Sequence, residues 1–592
     1  MTHFPLTDEQ QRFVEHDGEA FVKACPGAGK TRAIVGRIYR ISQTLLPRRG
    51  IAVLSFTNTA VDEFKERCRT QGLEKVLRYP SFIGTFDAFV SHFIVLPAGL
   101  PGVPAKPIIV DSWASLGIEV RLQGEKAFPG KGVSLDKFNA KECTIDPHSI
   151  GHAGLKTHIK DHKGDYEKAA ASYRQNLWRK GFLSSADARI IALKNLAKEG
   201  WAASLGGALV ARFQEVIVDE AQDCNPLDLK LLEWLRQHGL PVTIVCDPDQ
   251  AIYGFRHGNP TDLQCFASIY KSDSLFSFTG NFRSSSHICS LAATLRARTQ
   301  PDYAKGKNST ITIPIHVISY KGSPVPSAVG QSFIHIAESV GIKLDQTNIL
   351  GHKRRAALQA AGMAASVVSS GDSKVALIAG AVGAFWSSSG SSKERESALR
   401  AVEKLILLLM GKIEKDEPIA KAVERNGIHG RWLRRVALEL IMSLPMNCKD
   451  NNDERSAWLE VLRGAVSDLG LDCAAGFTVK SFFRCPAKNE WSRLIDQVAT
   501  PGLQCATVHE AKGREYEAVC LVIPPNRAPS NHTEQLIAAW EGRLSSEALR
   551  VAYVGITRAK KLIAIAVPAA YQPRLASILT RAGVTWELKD LA

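Results

Sequence analysis

The chain has 592 residues and a formal net charge of +15, with 45% hydrophobic and 22% charged residues. That length exceeds one core and predicts several domains, the composition is that of a globular protein, and the surplus of cations fits a polyanion such as nucleic acid. No apolar run reaches the ~18 residues needed to cross a bilayer, and the leucine-rich candidate 405–410 is short and lies between Lys404 and Lys412. The opening MTHFPLTDEQ lacks a basic region followed by a hydrophobic stretch, so no secretory leader and a cytoplasmic location are expected. Twelve cysteines are dispersed with no C-x-x-C pair, against zinc ribbons, iron–sulfur clusters or a disulfide framework.

In chain order, residues 20–24 (AFVKA) form a short apolar strand candidate ending in a turn-rich loop, and 30–41 has helical spacing. Residues 51–56 (IAVLSF) read as a buried strand, followed by a helix over 61–68. Residues 215–218 and 242–246 repeat the pattern of an apolar run that ends in acidic residues. Strands alternating with helices imply a parallel sheet with ligands at the strands' carboxyl ends. The pattern lapses between Pro97 and Gly181, where GLPGVPAKP and GHAGLKTHIKDHKGD read as an inserted subdomain. A second half is expected from Leu275, with strands at 315–320, 518–523 and 562–567, and a helical insertion over 363–499 that includes an amphipathic helix at 398–413.

The strongest local signal is Ala24-Cys-Pro-Gly-Ala-Gly-Lys-Thr31, placed between a strand and a helix. Glycines at 27 and 29 let backbone N–H groups approach phosphates, Lys30 reaches the β- and γ-phosphates, and Thr31 suits Mg²⁺. Pro26, Gly27, Ala28, Gly29, Lys30, Thr31 and Arg32 are therefore candidate ATP contacts. Val218-Asp-Glu-Ala-Gln-Asp223 supplies the carboxylates that such a loop needs: Asp219 for the metal, Glu220 to activate water. Alone, this pairing indicates an NTPase of any kind.

Further segments narrow the class. Leu6-Thr-Asp-Glu-Gln10, Ser55-Phe-Thr-Asn-Thr-Ala60, Ile83-Gly-Thr-Phe-Asp87, Val245-Cys-Asp-Pro-Asp-Gln250 with the following Ala-Ile-Tyr-Gly-Phe-Arg256, Asn281-Phe-Arg283, Thr507-Val-His-Glu-Ala-Lys-Gly-Arg-Glu515 and Tyr553-Val-Gly-Ile-Thr-Arg-Ala559 occur in fixed order. In this the sequence resembles the UvrD/Rep/PcrA group of superfamily 1 (subfamily A) DNA helicases. The resemblance implies two RecA-like parallel-sheet P-loop NTPase lobes, each with a mainly helical insertion: first lobe 1–96 and 182–274 around an insertion 97–181, second lobe 275–362 and 500–592 around a reduced insertion 363–499. It further implies that Gln10 reads adenine, Phe282 stacks on it, Glu515 holds the ribose, Gln250 senses the γ-phosphate, and Arg283 and Arg558 act as arginine fingers from the second lobe, closing on ATP bound at the first. Phe56, Tyr253 and Phe255 take the base-stacking positions, with Asn58, Thr85, Arg256, Thr507 and His509 along the strand's backbone.

The sequence departs from that group at Thr59, where Lys is common, at Asp87, where His is usual, and at Phe255, where Trp is common. Basic clusters at His352–Arg355 and His429–Arg435 are candidates for contacting duplex or a partner. Because the last motif falls close to residue 592, neither a nuclease domain nor a long partner-binding tail is expected after it. Two functions follow from the resemblance. One is a 3′-to-5′ helicase acting on single-stranded DNA or single/double-strand junctions. The other is a DNA-stimulated ATPase switch, like the helicase-like subunit of Gabija-type antiphage systems, whose partner is an OLD-type nuclease. A degenerate scaffold is disfavoured because every expected catalytic side chain is present.

Overall fold

A computed structural model describes residues 6–100, 102–104, 106–129, 132–252, 260–296, 302–362, 374–386, 392–413, 419–445, 452–485, 503–526 and 531–591. The chain divides into two compact units, Met1–Asn281 and Phe282–Ala592. Among the described residues no helix is long and apolar enough to cross a membrane.

The first unit is built on six strands: β1 Phe21–Ala24, β2 Gly50–Ser55, β3 Phe82–Thr85, β4 Phe213–Val218, β5 Val242–Cys246 and β6 Leu275–Phe278. All neighbours run parallel, in the order β6-β1-β5-β4-β2-β3. Successive side chains of a strand point to opposite faces, and both faces of this sheet are covered. Ile51, Val53, Ile217 and Val245 pack on one side with Phe13, Ile34 and Ile38. Ala52, Leu54, Val216, Val218 and Ile244 pack on the other with Phe86 and Phe89. Coverage of both faces explains why these strands read as near-continuous apolar runs.

Two expectations are corrected here. Residues 275–278 do not open the second half: β6 lies in register with β1, Phe21 opposite Leu275 and Ala24 opposite Phe278. The alternating Leu-Phe-Ser-Phe places Phe276 and Phe278 edge-on to Phe13, at centroid distances of 5.8 and 5.7 Å, so the segment completes the first sheet. The insertion 97–181 is also less helical than expected: among its described residues the longer helices are Ala153–Asp161 and Lys163–Arg179. Its preceding part is loops, short turns and a small hairpin of Glu119–Val120 with Val133–Ser134, packed round Trp113, Phe138 and Ile145. The buried Arg174 guanidinium donates to the carbonyls of Asn139 (2.8 Å), Leu135 (3.3 Å) and Phe138 (3.4 Å), satisfying loop backbone that a helix would satisfy internally.

The second unit carries β7 Ile315–Tyr320, β8 Thr347–Gly351, β9 Gln504–Thr507, β10 Tyr516–Val522, β11 Ala559–Pro568 and β12 Trp586–Leu591. They are again parallel, ordered β9-β8-β10-β11-β7-β12. Between β8 and β9 the described residues include the helices Lys374–Trp386, Ser392–Leu409, Gly430–Ser443 and Asn452–Asp468. Val402, Leu405, Ile406, Leu433, Leu440 and Leu462 form their shared core. The amphipathic stretch stops at Leu409 rather than at 413, because Gly411 adopts the left-handed conformation (φ 65°) that ends a helix.

Candidate functional site

β1 ends at Ala24 and helix Lys30–Thr44 begins after five residues. The turn between them needs left-handed backbone at Gly27 (φ 69°) and Gly29 (φ 73°), where a side chain is strained. Pro26 and Ala28 are buried, Lys30 and Thr31 half-buried, and Arg32 exposed. The helix starts without a side-chain cap, an arrangement that presents backbone N–H groups and the positive end of the helix dipole to an anion.

The carboxylates stand at the end of β4, two strands away from β1. Lys30 Nζ lies 3.4 Å from Glu220 Oε1. Glu220 itself is held in the left-handed region (φ 55°), a conformation uncommon for a side-chain-bearing residue outside functional sites. Gln222 donates its amide to the Glu220 carboxylate, and its own carbonyl accepts the Asp247 N–H at 3.0 Å. Asp247 in turn accepts from Gln250 Nε2 at 2.7 Å. One hydrogen-bonded line therefore joins the ends of β4 and β5. Gln222 was missed from the sequence, where its signal was an amide two residues after Glu220.

Asp219 is buried, and its Oδ1 has no hydrogen-bond partner among the described residues. Burial first, and the Glu220 carboxylate next, push its carboxyl above the ordinary range, while Lys30 pulls the other way. A buried acceptor of this kind is costly unless something satisfies it. With Thr31, it makes an all-oxygen donor set that fits a hard dication such as Mg²⁺.

Gln10 is buried on helix Asp8–Glu15, whose start it helps to cap with Thr7. Its Nε2 donates to the carbonyl of Ala28 at 2.7 Å, inside the glycine-rich turn, and a Cβ on Gly29 would approach that nitrogen to 2.8 Å. The expected adenine reader is thus bonded to the loop itself. Its neighbour Glu9 accepts from Thr279 N (2.9 Å) and Oγ1 (2.7 Å). Arg37, fully buried, anchors the same segment: it pairs with Glu215 at 2.8 Å and donates to the carbonyls of Phe13 (2.8 Å), His16 (2.9 Å) and Gly18.

At the ends of β2 and β3, the half-buried Phe56 ring stacks on Phe86, 5.5 Å between centroids and 10° from parallel. Thr85 Oγ1 accepts from Ala88 N at 3.1 Å, capping the short helix that follows, and Asn58 opens helix Asn58–Thr70 behind the Thr57 cap. Asp87, which stands where the resembling helicases usually have His, pairs with Arg189 at 2.7 Å. Tyr253, Phe255 and Arg256 lie outside the described residues.

In the second unit, Arg283 contacts Glu515 through Nε (2.7 Å) and Nη2 (2.6 Å) and donates from Nη1 to the Thr557 carbonyl at 2.9 Å. Glu515, expected at the ribose, also faces Lys560 at 3.6 Å. Burial raises its carboxyl, yet Arg283 and the neighbouring cations outweigh that and hold it below the ordinary value. Arg558 donates to the Val554 carbonyl (3.1 Å) and to Thr557 Oγ1 (3.3 Å). Phe282 is 37% exposed. Thr507 is tied to Glu510, which also binds Arg354 at 3.0 Å. His509 lies 6.1 Å, ring to ring, from His352, itself 4.5 Å from His532. The basic clusters are partly neutralised: besides Arg354, Arg434 pairs with Glu396 and Glu403, and Arg435 with Glu439.

Both units have the parallel-sheet architecture of RecA-like lobes, and the first carries a glycine-rich strand-to-helix turn with Lys30 facing the Glu220 carboxylate. Residues 6–271 match the UvrD/REP helicase N-terminal domain, and 489–568 match the UvrD-like helicase C-terminal domain. The chain belongs to the UvrD-like helicase family. It is 29% identical over 303 residues to DNA helicase II of Haemophilus influenzae, covering 49% of this chain and 40% of that protein. It is 25% identical over 328 residues to the putative ATP-dependent DNA helicase YjcD of Bacillus subtilis (53% and 41%), and 25% over 293 residues to the ATP-dependent DNA helicase PcrA of Leuconostoc citreum (47% and 37%). The chain therefore spans about two fifths of the length of the curated relatives it matches.

Proposed function

We propose that the protein is an ATP-dependent translocase and helicase that moves 3′-to-5′ along single-stranded DNA. The observation that carries this reading is the Lys30 ammonium 3.4 Å from the Glu220 carboxylate, with the buried, unpartnered Asp219 Oδ1 at the preceding residue. ATP phosphates entering the glycine turn give Lys30 new anionic partners, which releases Glu220 to orient a water. That water's oxygen bonds to the γ-phosphorus, the bond to the β–γ bridging oxygen breaks, and Glu220 takes the water's proton. Thr31 and Asp219 would hold Mg²⁺, which supplies charge neutralisation at the phosphate oxygens. Gln222 fixes the Glu220 carboxylate and connects it to Asp247 and the γ-phosphate sensor Gln250. Arg283 and Arg558 stabilise the charge that spreads onto the transferring phosphoryl group. Gln10 and Phe282 contact adenine and Glu515 the ribose, so nucleotide binding exchanges the Gln10–Ala28 and Glu515–Arg283 bonds for ligand contacts.

DNA bases stack on Phe56, Tyr253 and Phe255, with Asn58, Thr85, Arg256, Thr507 and His509 on the backbone. The names of the relatives, ATP-dependent DNA helicases, support DNA as the polymer. The test is ATP turnover with and without single-stranded DNA, and unwinding of duplexes with a 3′ or a 5′ tail. Stimulated hydrolysis and opening of the 3′-tailed duplex are expected; a rate indifferent to any polynucleotide overturns the motor.

A second reading, a DNA-stimulated switch acting with an OLD-type nuclease, is favoured by helix Gly430–Ser443. Its Arg434 and Arg435 are taken up by glutamates, while Leu438 and Met442, one turn apart, stay exposed, a surface better suited to protein than to duplex. Unwinding that requires the added nuclease would favour this reading.

A further inference from the structure

Arg189, on helix Ser185–Leu196, is buried and holds two carboxylates with one guanidinium. Its Nη2 is 2.7 Å from Asp87 Oδ1 and its Nε 2.5 Å from Asp228 Oδ1, while Nη1 donates to the Ser185 carbonyl at 3.0 Å. The guanidinium also lies over the Phe86 ring, 5.9 Å from its centroid.

The two acids belong to different working segments. Asp87 directly follows Thr85 and Phe86, the latter being the ring on which Phe56 stacks. Asp228 sits in the first turn of helix Pro226–Gln237, where its Oδ2 accepts from Asn225 N at 3.0 Å and Asn225 Oδ1 accepts from Asp228 N at 3.0 Å. Asn225 comes two residues after the turn Ala221–Asp223, which begins at Glu220. Neutralising a buried guanidinium requires one carboxylate, and Asp228, 1% exposed, supplies it. Asp87, whose side chain is 36% exposed although the Oδ1 that faces Arg189 is buried, makes the group net negative. The second acid therefore adds connection rather than charge balance. A planar fork is the side chain suited to bridging two carboxylates rigidly.

We infer that Arg189 is a positioning residue that couples an occupied Phe56–Phe86 platform to the turn carrying Asp219 and Glu220, a role that rests on the ATPase reading above. A base docking against Phe56 shifts Thr85–Asp87. Asp87 carries the guanidinium with it, and Asp228 and Asn225 follow, moving the helix start from which the Glu220 turn hangs. Hydrolysis then responds to the strand without any residue touching both ligands.

The test uses the full chain with Arg189→Lys, which keeps the buried charge but cannot bridge both acids, and with Asp87→Asn, at the exposed end. In both variants unstimulated turnover, KM for ATP and affinity for single-stranded DNA stay near those of the parent. The DNA-stimulated kcat falls about tenfold. A merely structural role would lower stimulated and unstimulated rates together with the melting temperature, and that result overturns the inference. So does full stimulation in Asp87→Asn, or a loss that tracks DNA affinity alone. A parent chain whose hydrolysis ignores single-stranded DNA overturns the motor reading and the coupling together; a responsive parent with an equally responsive Asp87→Asn overturns the coupling only.

Discussion

Arg37→Met is the sharpest test of how the nucleotide turn is held. The guanidinium is 0% exposed, neutralises Glu215 (4% exposed) and donates to the carbonyls of Phe13, in the last turn of helix Asp8–Glu15, and of His16 and Gly18 just beyond it. Met fills similar volume but leaves the buried Glu215 carboxylate and the Phe13 and Gly18 carbonyls without the Arg37 donor, while His16 keeps its bond from Arg40 at 2.9 Å. Removing one partner of such a pair costs about 3–5 kcal/mol. For a unit of this size that is roughly 10 °C in melting temperature. Adding Glu215→Leu removes the orphaned charge and should recover about half the loss, leaving the carbonyls unmet. Differential scanning calorimetry, which separates the two units' transitions, provides the comparison. Gln10 rides on the loosened helix, so weaker ATP binding should accompany the shift. A drop below about 2 °C in the single variant would show that the network carries little of the first unit's stability.

Lys30→Ala should abolish hydrolysis with a nearly unchanged melting curve, since its ion pair with the partly exposed Glu220 adds little stability; normal turnover would remove the glycine turn from the chemistry. Arg558→Ala should slow turnover by ~10³-fold while nucleotide binding survives, checked by single-turnover kinetics. Chelation of divalent metal should stop hydrolysis, and Asp219→Asn should raise the Mg²⁺ concentration needed for half-maximal rate; an unaltered Mg²⁺ dependence would refute the assignment. Burial first, then His532, His509 and Lys353, hold His352 down to about 4. Because that lies below the ~6.5 of an unfolded histidine, the unfolded chain binds the proton first as pH falls. The associated stability is whole above ~6.5 and drains away toward about 4. Melting of the second unit should follow that slope, and His352→Gln should flatten it.

The alternation of apolar runs with helices made both parallel sheets legible, because strands covered on two faces have little polar content to disguise them. The glycine turn between β1 and its helix and the Asp219–Glu220 pair at the end of β4 were equally plain as structure, since both are set by short local spacing. Edge placement was not. β6 reads as an opening strand until Phe276 and Phe278 are seen against Phe13, more than 260 residues earlier in the chain. The insertion 97–181 owes its shape to Arg174 reaching back to loop carbonyls, a long-range bond with no periodic signature. Asp87 looked like a lost imidazole. Its partner, Arg189, lies in a helix that no motif marks, and only the folded chain brings the two side chains together.

The order of the first sheet sets a timetable for synthesis. β1 sits between β5 and β6, so the strand that leads into the phosphate turn gains neither neighbour until residues 242–278 have been made. At ribosomal speeds, the roughly 250 residues that separate it from β6 take on the order of ten to fifty seconds. During that interval β2 and β3 can pair and residues 106–179 can gather round their own core, while Phe21 and Val22 remain without their eventual partners. Slowing translation across residues 182–240 would prolong that exposure, and it is there that a nascent chain of this protein should lean most on chaperones.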